Sequence, residues 1–253
     1  MIYSLILILV LALQVKPVSS IVGGQHDDIK NFRYLVHIQR QQKVCGGGLI
    51  AKHAVLTAAH CVSSPDPKRY DIRAGQTTEA EINSSYNTRL IAKSVHRNPG
   101  YHEDGDYIGA DIAVILVDPR HDMQVFLKLD ISGLAKEGTP VSLVGWGTQS
   151  RNGAQSPTLN SLNLHIAPPK QCLKSLFFDA ATHLCADSGK EGKSGCNGDS
   201  GGPLVTSSGI AVGVVSYGDT NCYKRGSAFT RIAVYSQWID SIVNQGQESN
   251  NYS

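Results

Sequence analysis

The sequence has little net charge and no tract of basic residues. Its 23 lysines and arginines nearly balance its 21 aspartates and glutamates, so the formal net charge at pH 7 is only +2. A protein that binds nucleic acid through the phosphate backbone carries clustered positive charge on one face or segment. The charge pattern therefore predicts no nucleic-acid partner.

Long hydrophobic runs are also scarce. One apolar run extends from residue 2 to residue 13, and it is shorter than the roughly 20 residues that a membrane-spanning helix needs. A short run in this place is typical of the core of a secretory signal peptide. Val18 and Ser20 are small enough to permit cleavage after Ser20. We assign residues 1–20 to a signal peptide and predict a secreted, extracellular protein with no membrane segment.

The sequence lacks closely spaced cysteine pairs. No two of its six cysteines are separated by only two residues, and this spacing disfavours a structural zinc site. An even number of cysteines behind a secretory signal indicates disulfide bonds, but it leaves the pairing open. The cysteines are Cys45, Cys61, Cys172, Cys185, Cys196 and Cys222.

The rest of the composition is that of an ordinary globular protein. Hydrophobic residues make up 41% of the chain, and its 25 glycines favour a turn-rich β protein. A length of 253 residues is enough for one or two domains.

Three separate segments carry the residue types of acyl-transfer chemistry. Ser200 lies in a glycine-rich stretch that reads Gly-Asp-Ser-Gly-Gly-Pro, and His60 lies in Thr-Ala-Ala-His-Cys. Asp111 leads directly into the apolar run Ile-Ala-Val-Ile-Leu, which could carry it into the interior. A serine hydroxyl needs a base to become nucleophilic, and a buried carboxylate holds that histidine base in one tautomer. The other aspartates of this region lie in turn-like or mixed-charge contexts: Asp104, Asp106, Asp118 and Asp122.

With these motifs in the order His, Asp, Ser, the chain resembles the secreted serine endopeptidases of the chymotrypsin/trypsin family, from Ile21 to about Gln245. The resemblance implies an all-β fold of two antiparallel six-stranded β-barrels with a C-terminal helix and an active site between the barrels. The implied segments are an N-terminal barrel over 21–125, a C-terminal barrel over 126–233, a helix over 234–245 and a tail over 246–253.

The same resemblance assigns roles to single residues. It implies catalysis by His60, Asp111 and Ser200, with the N–H groups of Gly198 and Ser200 forming an oxyanion hole. It also implies the disulfides Cys45–Cys61, Cys172–Cys185 and Cys196–Cys222. The implied partners are protein or peptide substrates and protein protease inhibitors, and we expect a monomer.

The residues of the substrate pocket distinguish this chain from trypsin. The resemblance places Ser194 at the base of the pocket, Gly218 and Ser227 on its walls, and Ser216 on a strand that pairs with substrate backbone. Without an aspartate at the base, a cationic side chain would be buried unpaired. We therefore predict a pocket closer to chymotrypsin or elastase, with cleavage after Leu, Phe, Tyr or Met. Asp219, near the rim, offers the alternative of admitting a basic residue.

In the family, a new amino terminus at the residue corresponding to Ile21 pairs with the acid corresponding to Asp199. Here Ser20, rather than Lys or Arg, precedes Ile21. We hypothesise that signal peptidase exposes Ile21 directly, without a lasting zymogen stage.

Several local features complete the sequence-based predictions. Residues 34–39 and 210–216 read as strands, and a hairpin is expected around Lys52 with His53 as a solvated turn residue. Helical spacing of apolar residues predicts the C-terminal helix.

Asn83 is a glycosylation sequon in a polar loop, whereas the sequon at Asn251 lies at the extreme end and is expected to be unused. Relatives bind calcium in the loop from Gly75 to Arg89, but Gln76, Glu79 and Glu81 supply too few oxygens, so we expect no metal and no cofactor.

A protein of a different class fits the same family. A catalytically silent homologue that acts as a binding or decoy protein would share the fold, and the unusual residue before Ile21 keeps that alternative open.

Overall fold

The computed structural model describes residues 21–75, 78, 88–104, 107–119, 123–172, 178–219, 221–222 and 226–251. The predicted signal peptide, the Asn83 sequon and the loop residues Gln76, Glu79 and Glu81 lie outside the described residues.

Strands dominate the described residues, and one long helix follows them. In chain order they are β1 (Gln25–His26), β2 (Leu35–Arg40), β3 (Lys43–Ala51), β4 (Ala54–Thr57), β5 (Asp71–Ala74), β6 (Thr88–Leu90), β7 (Ala92–Arg97), β8 (His102–Asp104), β9 (Tyr107–Gly109), β10 (Ala113–Val117), β11 (Lys128–Leu129), β12 (Pro140–Gly145), β13 (Asn160–Ala167), β14 (His183–Asp187), β15 (Pro203–Thr206), β16 (Ile210–Tyr217), β17 (Ser227–Arg231) and the helix α1 (Ile232–Asn251).

The first barrel is an antiparallel sheet with the strand order β6-β5-β2-β3-β4-β10-β7. Its two end strands, β6 and β7, are separated in the chain by Ile91 alone, so the sheet curls until it is nearly closed. The predicted hairpin is present as β3 and β4, joined by a turn at Lys52 and His53.

The second barrel is closed. Its six main strands follow the order β13-β12-β15-β16-β17-β14, and an antiparallel pairing of β13 with β14 completes the circle. The short β11 adds a parallel pairing to β16, and β1 pairs with β13. The structure thus confirms two β-barrels with a C-terminal helix, although β1, from the segment predicted for the first barrel, pairs with the second.

Each barrel encloses its own hydrophobic core. All five residues of β10 are buried because the strand lies between β4 and β7 and is covered by α1. Ile239 and Ile242 of that helix join the core of the first barrel, although α1 follows the second barrel in the chain. None of the described helices is long and apolar enough to cross a membrane.

The helix is longer than predicted. It begins at Ile232 and ends at Asn251, so residues 246–251 of the predicted tail are helical. Gly246 lies where α1 meets the first barrel, and a Cβ there would be 2.8 Å from a methyl group of Leu116 and 2.9 Å from the His53 ring.

The prediction of a solvated His53 is wrong. The residue is only 3% exposed, and its Nε2 lies 2.9 Å from the carbonyl oxygen of Val243 in α1. A turn between two strands usually faces water, but here the C-terminal helix covers it. His53 therefore joins the first barrel to the last element of the chain.

We expect His53→Ala to lower the free energy of unfolding by about 1–3 kcal/mol, because a buried hydrogen bond and the packing around it are lost. Urea unfolding monitored by circular dichroism measures the change. Lys52→Ala, at the exposed neighbouring position, is the matched control and should stay within about 0.5 kcal/mol of the wild type. Equal effects of the two substitutions would contradict the structural role of His53.

Candidate active site

The Asp111 carboxylate is fully buried and accepts hydrogen bonds from both barrels. The His60 backbone N–H donates to Oδ1 at 2.9 Å, and the His60 ring nitrogen Nδ1 donates to Oδ2 at 2.8 Å. From the second barrel, the Ser216 hydroxyl donates to Oδ2 at 2.6 Å. Thr230 of β17 also donates to the Asp111 backbone carbonyl at 2.8 Å. Aspartate and histidine of the predicted triad are therefore in contact.

These contacts control the ionisation of Asp111. Burial raises the pKa of a carboxyl group, and this effect is the largest single influence here. The positive charge and hydrogen bonds of His60, together with the Ser216 hydroxyl, outweigh it and hold the pKa of Asp111 below its ordinary value. The carboxylate is therefore charged at neutral pH and fixes the Nδ1 tautomer of His60.

Local sequence explains how His60 reaches this position. It lies in a 3-10 turn, Ala59–Cys61, immediately after β4. The Cys45–Cys61 disulfide ties that turn to β3. Asp111 precedes β10, which pairs with β4, so neighbouring strand ends bring the two side chains together.

In the loop that carries Ser200, the backbone N–H groups on both sides of Asp199 bind nothing within the described protein. Asp199 N–H donates to Cys196, Gly201 N–H to Val215 and Gly202 N–H to Asp199. Among the described residues, the N–H groups of Gly198 and Ser200 have no such partner. Gly198 has φ +97°, a backbone conformation that L side chains rarely adopt. Unpaired amide donors beside a serine suit a bound oxyanion.

Ser200 lies beside the first barrel through backbone contacts. Its carbonyl accepts the Gly46 N–H of β3 at 2.8 Å. In the described structure, its hydroxyl makes no hydrogen bond with His60, whose Nε2 instead lies 3.7 Å from the Cys61 sulfur. The structure thus brings His60 to Asp111 but does not join Ser200 to His60.

Asp199 occupies a cavity that two glycines create. A Cβ at Gly145 or Gly147 would overlap the Asp199 carboxylate, so no side chain fits at either position. The carboxylate accepts the backbone N–H groups of Gly147 and Cys196, each at 2.9 Å, and makes no ion pair with any described residue. Burial outweighs these two bonds and raises the pKa of Asp199 to about 7.

Ile21 is also fully buried, in the core of the second barrel beside Leu143. It has φ +56°, an unfavourable conformation for a β-branched residue. The next residue, Val22, forms a β-bridge with Ser194, whose N–H donates to the Val22 carbonyl. Ile21 nitrogen belongs to a peptide bond in this chain, and no ion pair joins it to Asp199.

The structure brings two residues of the predicted substrate pocket, Gly218 and Ser227, next to each other. Ser194 is buried, and its hydroxyl donates to the Cys222 carbonyl at 2.9 Å. A Cβ on Gly218 would lie 3.2 Å from the Ser227 hydroxyl, so these two positions face each other. The structure contains the three predicted disulfides, Cys45–Cys61, Cys172–Cys185 and Cys196–Cys222.

Two features of the site escaped sequence reasoning. The Ser216 side chain binds Asp111, although the residue was predicted only as part of a substrate-binding strand. Nothing in the sequence around Gly145 and Gly147 indicated that they contact the Asp199 carboxylate, apart from their place at the end of an apolar strand. One described group, Cys45, His60 and Cys61, has the spacing of a metal site, but its sulfurs are joined in a disulfide and are not thiolate ligands.

The environment of Asp199 predicts a pH-dependent stability for the chain whose Ser20–Ile21 bond is intact. Because the folded state holds the proton more tightly, this stabilisation is complete below the ordinary pKa of 3.8 and is lost as the pH rises through about 7. The total loss is on the order of 4 kcal/mol, at about 1.4 kcal/mol per pKa unit. Denaturant unfolding between these pH values measures it.

Asp199→Asn should flatten this dependence, since the amide does not ionise. Asp240→Asn, on an exposed part of α1, is the control and should keep the wild-type slope. An Asp199→Asn protein with an undiminished slope would show that another group causes the pH dependence.

Comparison with known proteins identifies the family to which the chain belongs. The family model described as Trypsin matches residues 21–239. Trypsin alpha of Drosophila melanogaster is 32% identical over 233 residues, 88% of each chain, and chymotrypsin-2 of Vespa crabro is 32% identical over 223 residues, 87% of this chain and 98% of the relative. Among solved structures, human heparin binding protein superimposes with a TM-score of 0.76 at 28% identity, over 88% of this chain and 97% of that one. Because the family model spans most of the sequence, we conclude that this chain belongs to the trypsin family of serine proteases.

Proposed function

We propose that the protein is a secreted, monomeric serine endopeptidase that hydrolyses peptide bonds through an acyl-enzyme. The observation that carries the proposal is the pair of N–H groups on Gly198 and Ser200, which have no partner among the described residues. The first barrel, whose strand β3 contacts Ser200, holds the hydrogen-bonded pair His60 and Asp111. Donors kept in place before substrate arrives stabilise the charge that develops on a carbonyl oxygen during acyl transfer.

In the proposed reaction, the Ser200 hydroxyl oxygen attacks the carbonyl carbon of the scissile bond, and His60 Nε2 accepts the hydroxyl proton. The oxygen of the tetrahedral intermediate is bound by the Gly198 and Ser200 N–H groups. His60 then gives the proton to the leaving amine as the C–N bond breaks. Water repeats the sequence on the ester, with His60 again as the base. Asp111 stays ionised and stabilises the imidazolium.

The contact between Ser200 and His60 forms, in this proposal, when Ile21 becomes the amino terminus. Asp199 lies directly between Gly198 and Ser200 in the chain and makes no ion pair with any described residue. Its burial without a counter-charge raises its pKa to about 7. A free Ile21 ammonium group would supply the charge, and cleavage would release Ile21 from its left-handed backbone. The Ser194 N–H donates to the Val22 carbonyl, so the same cleavage would also fix the position of Ser194 at the base of the proposed pocket. We propose that signal peptidase makes the cut after Ser20.

The proposed specificity is for large hydrophobic or aromatic residues, namely Leu, Phe, Tyr and Met. The proposed base of the pocket is Ser194, a neutral residue whose hydroxyl already donates to the Cys222 carbonyl. A buried substrate cation would find no paired charge at that position, which is strongly unfavourable. Gly218 leaves the mouth open, since a side chain there would contact Ser227.

A second candidate function is binding without catalysis. It is favoured by one finding, the similarity to solved structures of a protein named for heparin binding. The two candidates differ in whether Ser200 reacts, so one labelling experiment separates them.

We expect diisopropyl fluorophosphate to phosphorylate Ser200 of the protein that begins at Ile21, with loss of fluoride and of peptidase activity. Peptide mass spectrometry locates the adduct. Ser200→Ala should remove the label and lower kcat by about 10⁴-fold or more, the order found when a triad member is removed from other serine proteases. Ser207→Ala, in the exposed turn before β16, is the control and should label normally. A wild-type protein that takes no label would support the binding function instead.

We expect Ser194→Asp to move the preference toward Arg and Lys, because it places a carboxylate at the base of the pocket. The ratio of kcat/KM for an arginyl over a leucyl substrate should rise by at least about tenfold, equivalent to about 1.4 kcal/mol. Ser207→Asp adds the same charge on an exposed turn and should leave the ratio unchanged. No change in Ser194→Asp would remove Ser194 from the pocket.

A further inference from the structure

Ser216, whose hydroxyl donates to the Asp111 carboxylate, lies at an irregular point of its sheet. In the pairing of β16 with β17, the register shifts between Val215 and Tyr217 and leaves Ser216 without an opposite residue. Such β-bulges occur next to active sites, where the extra residue changes the direction of a side chain. The direction of the Ser216 hydroxyl therefore depends on what holds the residues on either side of it.

The residue before Ser216 is held by the loop that carries the proposed nucleophile. The Val215 N–H donates to the Gly202 carbonyl, and the Gly201 N–H donates to the Val215 carbonyl, both at 2.9 Å. These two bonds tie the first side of the bulge to the segment directly after Ser200.

The residue after Ser216 is Tyr217, and its ring contacts the imidazole of His183 on β14. The two ring centroids are 5.6 Å apart and the ring planes differ by 65°, which is an edge-to-face contact. His183 has no surface exposed to water. A buried ring thus supports the second side of the bulge.

A hydrogen bond to Thr182 orients the His183 ring. The Thr182 hydroxyl donates to the Asp179 carboxylate at 2.7 Å, and this bond lowers the pKa of Asp179, so the carboxylate is charged and only accepts. The hydroxyl has no second proton, so His183 Nδ1, at 3.0 Å, must donate to it. The other ring nitrogen, Nε2, is buried and has no partner in the described part of the chain. The bond to Thr182 is therefore the one hydrogen bond that this ring makes with the described residues.

The backbone places His183 beside a second support of Asp111. In the pairing of β14 with β17, His183 lies opposite Thr230. The Thr230 hydroxyl donates to the Asp111 backbone carbonyl at 2.8 Å. Through His183, β14 thus contacts the two segments whose hydroxyl groups bind Asp111 from the second barrel.

From these contacts we infer that His183 is a positioning residue for the catalytic acid. Thr182 fixes the His183 ring, and that ring holds Tyr217. The Ser216 hydroxyl is thereby directed at Asp111. The inference rests on the proposed peptidase function and deepens it, because it assigns to the triad a support that touches neither substrate nor the reacting atoms.

Thr182→Val tests the inference, because it removes the hydroxyl that fixes the ring and keeps the shape of the side chain. For the protein beginning at Ile21, we expect kcat for an acetyl-leucyl nitroanilide to fall by roughly three- to tenfold, which corresponds to the net contribution of one hydrogen bond. KM should stay within about twofold of the wild-type value, because the change acts on the triad rather than on the pocket.

The pH profile gives a readout that a general loss of stability would not move. A carboxylate with one donor fewer attracts the imidazolium more strongly, so the acid limb of kcat/KM should move to higher pH by about 0.3–1 unit. Thr182→Ser keeps the hydroxyl and should keep the wild-type kcat and profile. Thr206→Val, at an equally half-buried threonine of β15, is the matched control and should leave both unchanged.

His183→Phe is the second variant, since it keeps an aromatic ring but lacks the Nδ1 donor. We expect a fall in kcat similar to that of Thr182→Val. Because the two residues act through one hydrogen bond, combining both substitutions should lower kcat no further than His183→Phe alone.

The outcomes separate the two proposals. A Thr182→Val protein with the wild-type kcat and pH profile would overturn the role of His183 and leave the peptidase function intact. An equal fall in kcat for Thr206→Val, or effects of Thr182→Val and His183→Phe that simply add, would also overturn that role. Failure of the wild-type protein beginning at Ile21 to cleave the nitroanilide would overturn the peptidase function and this inference with it.

Discussion

The buried carboxylate of Asp111 is the constraint on which the rest of the site depends. A charge with no exposure to water is tolerated only where donors surround it. Its donors come from the turn after β4 in one barrel and from β16 in the other. Satisfying one side chain therefore fixes how the two barrels meet, and it fixes the ring plane of His60. Disturbing the contact between the barrels would disturb the orientation of the base before it unfolded either barrel.

A second buried carboxylate, Asp199, shows how much the partners matter. Both groups are removed from water, yet their pKa values move in opposite directions. Asp111 has an imidazole and a hydroxyl as partners, whereas Asp199 has only two backbone amides among the described residues. The first is ionised at neutral pH, and the second titrates near it. The same fold thus contains one buried carboxylate, Asp111, that is stabilised in its charged form, and another, Asp199, that has no counter-charge among the described residues.

Sequence reasoning identified the parts of the site that depend on chemistry carried by a short motif. The run that follows Asp111 revealed a buried strand, and the two barrels followed from a family resemblance rather than from composition. Sequence reasoning failed where a segment distant in the chain determines the surroundings of a side chain. His53 looks like a turn residue until α1 covers it, and nothing near Ser216 in the chain shows that its hydroxyl faces Asp111. The end of α1 was missed because its last turns carry few apolar residues.

The position of α1 has a consequence for how the molecule is made. Residues 232–251 are synthesised after the strands of both barrels, yet Ile239 and Ile242 complete the core of the first barrel. The nascent first barrel therefore has an open apolar flank until α1 has been synthesised. Because that barrel holds His60 in place, a truncated chain released early would lack a properly supported base.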